Sequence, residues 1–149
     1  KRVHQNKVKI NVFGRWQEVL PKETQEAIRQ AQEATKDYDK SFLTFLLAYN
    51  GVDEMADCIQ KIANSAREKT IKVDGGLIKE NLWTKDLPQV DLVIRTGCKD
   101  DPHLSAGFMM WDTAYSQFYF TKTFLPAFTP REFEEIIKDY GRRQRRFGE

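Results

Sequence analysis

Two short segments of this chain are apolar at almost every position yet too short for core helices. They are Phe42-Leu43-Thr44-Phe45-Leu46-Leu47-Ala48 and Val90-Asp91-Leu92-Val93-Ile94. A strand of that kind expects cover on both faces, which a parallel sheet with helices on either side provides. The segments around them are consistent with that frame. Val8, Ile10 and Val12 alternate with Lys7, Lys9 and Asn11, a strand with one buried face that Gly14 closes. Pro21 suits a first helical turn, and Ala27, Ile28, Ala31 and Ala34 follow at helical spacing. Met55, Ile59, Ile62 and Ala66 mark a second helix, and a shorter one covers Leu77 to Trp83. The pattern then predicts a helix from about Ser105 to Tyr115 and an aromatic strand at Phe118-Tyr119-Phe120. A last helix starts with Thr129 as cap, Pro130 in the first turn and Glu132 placed for a capping box. Phe133, Ile136, Ile137 and Tyr140 form its apolar stripe. Strands alternating with helices, with no repeat, low-complexity tract or linker, predict an α/β fold with a mainly parallel sheet and flanking helices. The expectation is a single domain over residues 1–149.

Charge narrows the partners. The chain carries 24 Lys and Arg against 22 Asp and Glu, a net charge of +2. No global field directs it to a polyanion, so nucleic acid is not an expected partner. No apolar run is long enough to span a bilayer and no signal peptide opens the chain, so the expected location is cytoplasmic, with peripheral membrane contact left open. Cys58 and Cys98 offer neither a disulfide framework nor metal-ligand spacing and read as reduced thiols. His4 and His103 are too few and too far apart for a histidine metal site.

In an open α/β sheet, ligands bind beyond the carboxyl ends of the strands. Two polar loops fall there, Tyr49-Asn50-Gly51-Val52-Asp53 and the stretch from Arg95 to Ser105. The second carries more chemistry. An apolar strand delivers Arg95 at its end, with a permanent charge and a fork of donors matched to phosphate oxygens. Gly97 and Gly107 allow close backbone approach, and Ser105 opens the predicted helix, where free amides favour an anion. Spacing alone leaves two readings open: a diphosphate pocket, or a salt-bridged arginine beside a serine cap.

These residues carry a family resemblance. Asp91-Leu92-Val93-Ile94-Arg95-Thr96-Gly97 is similar to the "DLxIRTG" motif of the cis-prenyltransferases, of which undecaprenyl diphosphate synthase is the best-known type. The segment from Phe108 through Trp111, Ala114, Tyr115 and Gln117 to Phe120 resembles their "FxxWxxAYxExYF". Arg143-Gln144-Arg145-Arg146-Phe147-Gly148 resembles the terminal "RxRRFG", and Ile10-Asn11-Val12-Phe13-Gly14-Arg15-Trp16 resembles the strand and turn that open the family's C-terminal half. Order and intervals agree from about Val8 to the end, and the loops have an archaeal style. The resemblance implies condensation of isopentenyl diphosphate onto an allylic diphosphate, with magnesium, in a homodimer or a heterodimer with a related subunit. It implies that Arg95, His103 and Ser105 hold the isopentenyl diphosphate. It also implies that Arg143, Arg145 and Arg146 reach a diphosphate, often across the dimer interface.

The chain departs from the family pattern in ways that bear on charge. No "HGNRR"-like run occurs, so the catalytic aspartate of the family has no counterpart here; with Lys1 and Arg2 at the start, the resemblance is to a C-terminal part. His103 stands where the family has an arginine, and Gln117 where it has a glutamate that binds magnesium. Asp100 and Asp101 make the preceding loop acidic; they are either alternative cation ligands or a solvated turn before Pro102. The "NYGGR"-like loop has lost its arginine. A prenyltransferase module and a non-catalytic partner subunit of a heteromeric enzyme are the two functional expectations.

Overall fold

The computed structural model describes residues 2–98 and 102–143. The chain divides into two compact units, Lys1–Lys85 and Asp86–Glu149.

The first unit runs α1 (Arg2–Gln5), β1 (Val8–Phe13), α2 (Trp16–Val19), α3 (Lys22–Glu33), β2 (Ser41–Leu46), α4 (Gly51–Ala66) and α5 (Gly75–Asn81). β1 and β2 pair in parallel, from Val8 opposite Ser41 to Phe13 opposite Leu46. A helical crossover between parallel neighbours is what the alternating pattern predicted. Buried Thr35 fastens that crossover: its hydroxyl donates to the Ala31 carbonyl at 2.8 Å and accepts from the Ile10 N–H at 3.1 Å. One expectation is corrected here. β2 is a strand, but it is not buried on both faces: Phe42 is 64% and Phe45 43% exposed. The described elements give it cover over only part of its apolar surface.

The carboxyl end of this sheet is tightly built. Gly14 has φ of +110°, and a Cβ there would lie 2.2 Å from the Leu47 carbonyl oxygen, so only glycine fits. α4 starts four residues before Met55, because Asn50 caps it by accepting from the Val52 N–H at 2.8 Å. The polar loop expected from Tyr49 to Asp53 is therefore mostly the first turn of a helix.

The second unit contains β3 (Leu92–Arg95), β4 (Gln117–Phe120), a 3₁₀ turn (Leu125–Ala127) and α6 (Pro130–Arg142). β3 and β4 are parallel, with Arg95 opposite Phe120. Ile136 anchors α6 at 1% exposure, whereas Phe133 and Ile137 from the expected stripe remain exposed. The capping box forms by half. Thr129 accepts from the Glu132 N–H at 3.2 Å, but the Glu132 carboxylate accepts from the Thr121 hydroxyl at 2.6 Å instead of turning back.

The helix expected from Ser105 to Tyr115 does not form; the segment is a run of turns. Its backbone is engaged elsewhere. The Phe108 N–H donates three residues back to Ser105 (3.1 Å), the Ser116 N–H to Thr113 (3.0 Å), and the Asp112 carbonyl accepts from Val90 (2.8 Å). The Thr113 hydroxyl takes the Met109 carbonyl, the acceptor a helix would need at that step.

Candidate functional site

β3 brings Arg95 to its carboxyl end, as the apolar run implied, and leaves it half-buried. Its guanidinium is not waiting in solvent. Nη1 donates to the His103 carbonyl, Nη2 lies 2.9 Å from His103 Nε2, and the group sits 5.7 Å over the Phe108 ring. Arg95 and His103 are thus brought together directly. The imidazole sits beside the fork, within hydrogen-bond reach of one of its nitrogens.

Ser105 is exposed and lies on the same loop. Because no helix begins there, it has no helix N-terminus to lend it. It lines a cavity of about 380 Å³ with Leu104, Phe108, Met110, Thr113 and Phe118. The Phe108 ring is shared: Arg95 stacks on it and the cavity uses it as a wall.

The two glycines also resolve. Gly97 has φ of +71°, and a Cβ there would meet the Phe124 ring at 2.9 Å. Its freedom serves the turn after β3 and the approach of that ring. A Cβ on Gly107 would meet only Ser105 Oγ, at 3.5 Å, so nothing in the fold crowds that position.

Gln117 begins β4, and its side-chain oxygen is buried with no hydrogen-bond partner among the described residues. That orphaned acceptor stands at the position the resemblance assigns to a magnesium ligand. It is a single neutral oxygen, and among the described residues no three His, Cys, Asp or Glu side chains converge to hold a metal. Magnesium demands near-octahedral oxygen coordination through carboxylates, phosphates and water. The described residues do not by themselves meet that demand. Asp100 and Asp101, the expected alternative ligands, lie outside the described residues, as do Arg145 and Arg146.

Arg143 is placed, and it is occupied. Nε and Nη2 donate to Asp139 at 2.8 and 2.5 Å, and Nη1 donates to the Phe118 carbonyl at 3.0 Å.

The first unit holds the other polar loop. A cavity of about 600 Å³ at the end of β1 is lined by Arg15, Trp16, Asp53, Asp57 and Trp83 among others. Arg15 and Asp53 neutralise each other across it at 2.8 Å. Asp57 accepts from Trp83 Nε1 at 2.6 Å and pairs with Lys61 at 2.8 Å. The Lys61 bond, then the indole bond, holds its carboxyl below the usual range against the opposing effect of burial. Behind this loop lies a cluster that sequence reading missed. Glu54, 1% exposed, accepts from the Tyr49 hydroxyl (2.5 Å) and from both the N–H and hydroxyl of Thr84 (2.9 Å each). Its one sequence signal is an acidic residue in the first turn of a helix, which most often faces water.

Comparison with known proteins decides the family. Residues 1–148 match the family model described as "Putative undecaprenyl diphosphate synthase". This chain belongs to the undecaprenyl diphosphate synthase family. It is 37% identical over 151 residues to the tritrans,polycis-undecaprenyl-diphosphate synthase (geranylgeranyl-diphosphate specific) of Methanocaldococcus jannaschii, covering 98% of this chain and 52% of that protein. It is 36% identical to isoprenyl transferase 1 of Streptomyces avermitilis, over 91% of this chain and 57% of that one. The crystal structure of lavandulyl diphosphate synthase from Lavandula x intermedia in complex with dimethylallyl diphosphate superposes with a TM-score of 0.89. It is 25% identical, over 97% of this chain and 62% of that chain. The chain spans about half the length of the curated relatives it matches. Membership of this family, with archaeal relatives, was expected from the motifs, and the parallel α/β architecture from the alternation of strands and helices. Among the described residues, no helix is long and apolar enough to cross a membrane.

Proposed function

We propose that this chain supplies the isopentenyl-diphosphate side of a cis-prenyltransferase, an enzyme that extends an allylic diphosphate by one isoprene unit with a cis double bond. The carrying observation is the Arg95 fork at the end of β3, with His103 on its two nitrogens and Ser105 on the same loop. Arg95 would take diphosphate oxygens through charge-assisted hydrogen bonds. Ser105 would donate its hydroxyl, and His103 would contribute one imidazole N–H. The terminal arginines Arg145 and Arg146, with Arg143, would serve a diphosphate across a homodimer or a heterodimer with a related subunit. Neutralising and orienting two diphosphates is the larger part of such catalysis. Magnesium enters through the family; here it would be held with groups beyond the described residues. A cytoplasmic enzyme with peripheral membrane contact fits a product of that chemistry.

The test uses the protein expressed from its complete gene, with radiolabelled isopentenyl diphosphate and geranylgeranyl diphosphate as primer, alone and with a related subunit. We expect incorporation into extractable polyprenyl products. Arg95→Ala should lower kcat/KM roughly 10- to 100-fold, the value of a charge-assisted phosphate contact. Incorporation only with the second subunit assigns an accessory role. No incorporation under either condition rejects the reading.

A further inference from the structure

Three described groups meet the Arg95 guanidinium, and none is a carboxylate. Nη1 donates to the His103 carbonyl, Nη2 lies 2.9 Å from His103 Nε2, and the Phe108 ring has the guanidinium carbon 5.7 Å over its centroid. Arg143 gives the contrast. It also stands over a ring, Tyr119 at 5.9 Å, but Asp139 accepts from two of its nitrogens at 2.8 and 2.5 Å. A two-point ion pair of that kind fixes a guanidinium whatever the ring does. Among the described residues Arg95 has no such anchor, so the ring carries a larger share in placing it.

The ring differs from His103 in what it uses. Carbonyl and imidazole take N–H groups, the same donors a diphosphate would take. The negative face of an aromatic ring attracts the cation as a whole and consumes no donor. Arrival of an anion therefore competes with His103 and leaves the Phe108 contact in place. Phe108 is also tied to the other proposed ligand of the loop, because its N–H closes a turn on the Ser105 carbonyl at 3.1 Å. Ring and Ser105 hydroxyl thus belong to one closed turn. The ring is only half-buried, and with Leu104, Met110 and Phe118 it walls the cavity of about 380 Å³. Open space beside it means that small additions to the ring meet no packed core.

We propose that Phe108 is a positioning residue: its ring holds the Arg95 guanidinium in register both before and after a diphosphate binds. This rests on the preceding assignment of Arg95 to isopentenyl diphosphate. It adds a group that touches the arginine and not the substrate.

The experiment uses the complete protein and equilibrium dialysis with radiolabelled isopentenyl diphosphate, without primer, so that no turnover intervenes. Phe108 is replaced by mono-, di- and trifluorophenylalanine, which keep the shape of the ring and drain charge from its face. Kd should rise stepwise along the series, to about threefold to tenfold for the trifluoro ring. Phe108→Leu should weaken binding by a similar factor, and Phe108→Tyr, which keeps the face, should stay within about twofold. In an Arg95→Ala background the fluorinated series should be flat. A flat series in the parent protein would overturn the proposal, since it would show that the ring acts by packing alone. So would a series that persists without Arg95, or a loss of binding that follows the melting temperature. The two assignments separate on Arg95→Ala itself. If that variant weakens binding about tenfold or more while the fluorinated rings do nothing, only the role of Phe108 fails. If Arg95→Ala leaves Kd unaltered, or the parent protein does not bind, the preceding assignment fails and this one with it.

Discussion

Removing the Glu54 carboxylate should cost more stability than any other single polar change in the first unit. The side chain is 1% exposed and receives three donors: the Tyr49 hydroxyl at 2.5 Å and the Thr84 N–H and hydroxyl at 2.9 Å. Glu54→Ala takes away the acceptor of all three and leaves a void. A buried donor deprived of its partner costs about 1–3 kcal/mol. The Thr84 N–H is the least forgiving of the three, because a backbone donor cannot rotate to find water. The Tyr49 and Thr84 hydroxyls can rotate toward other acceptors, which softens the loss there. Counting the N–H in full and the hydroxyls at half weight gives a loss of about 2–6 kcal/mol, a large share of a domain's stability. Glu54→Gln keeps one oxygen for Thr84, and the Tyr49 hydroxyl can turn to accept from the new amide, so its loss should be about 1–2 kcal/mol. The assay is urea denaturation followed by tryptophan fluorescence, since Trp83 packs edge-on against Tyr49 at 6.0 Å. A loss below 1 kcal/mol for Glu54→Ala, or an equal loss for alanine and glutamine, would refute the claim that unpaired donors set the cost.

Two further outcomes are set by the geometry. Gly97→Ala should destabilise by about 1–2 kcal/mol, the penalty for a Cβ at its φ of +71°. The Phe124 ring is exposed and can swing away, so adding Phe124→Ala should recover only a small part in thermal melts, whereas Gly97→Asn should cost less than alanine. Asp57, whose carboxyl lies below its ordinary 3.8, contributes stability above that value and loses it as pH falls through the lower folded-state value. The Trp83 emission should therefore shift as pH drops below 3.8, and Asp57→Asn should abolish the shift; a shift that persists in the variant would assign it to another group.

What the sequence disclosed, and what it hid, depends on the range of the interactions. β3 and its terminal Arg95 were legible because an apolar run and the residue ending it are neighbours in the chain. The parallel pairing was legible because helix-length spacers allow little else. The turns between Ser105 and Tyr115 were not. Phe108, Trp111 and Tyr115 fall at helical spacing, while the decisive competitors are the Thr113 hydroxyl on Met109 and the Val90 N–H on Asp112. The first is local and could have been weighed; the second comes from a residue more than twenty positions earlier. The Glu54 cluster was hidden for the same reason, since Thr84 lies thirty residues away. Exposure of β2 was hidden because an apolar pattern states what cover a strand expects and cannot state which elements supply it.

The same distinction bears on His103, expected from the resemblance to hold isopentenyl diphosphate as a one-donor replacement for an arginine. In the fold it holds the fork of Arg95 through a carbonyl and a ring nitrogen, both of them neutral acceptors. The guanidinium donor already makes those bonds charge-assisted, and a phosphate oxygen adds an opposite charge on the acceptor side. On the proposed reading, exchange of the His103 acceptors for diphosphate oxygens is therefore downhill in bond strength. It also starts from a guanidinium already oriented by its stack on Phe108. The substitution removes a cation from the site, which weakens long-range attraction of the anion. It supplies in return a neutral partner that keeps the remaining arginine ordered until the anion arrives. Loss of charge and gain of order act on different quantities, the first on encounter and the second on the entropy of binding. His103→Arg should accordingly raise the salt dependence of isopentenyl diphosphate binding by about one counterion's worth, with a smaller gain in affinity at high salt. An affinity gain that is independent of salt would refute the claim that the missing charge acts through long-range attraction of the anion.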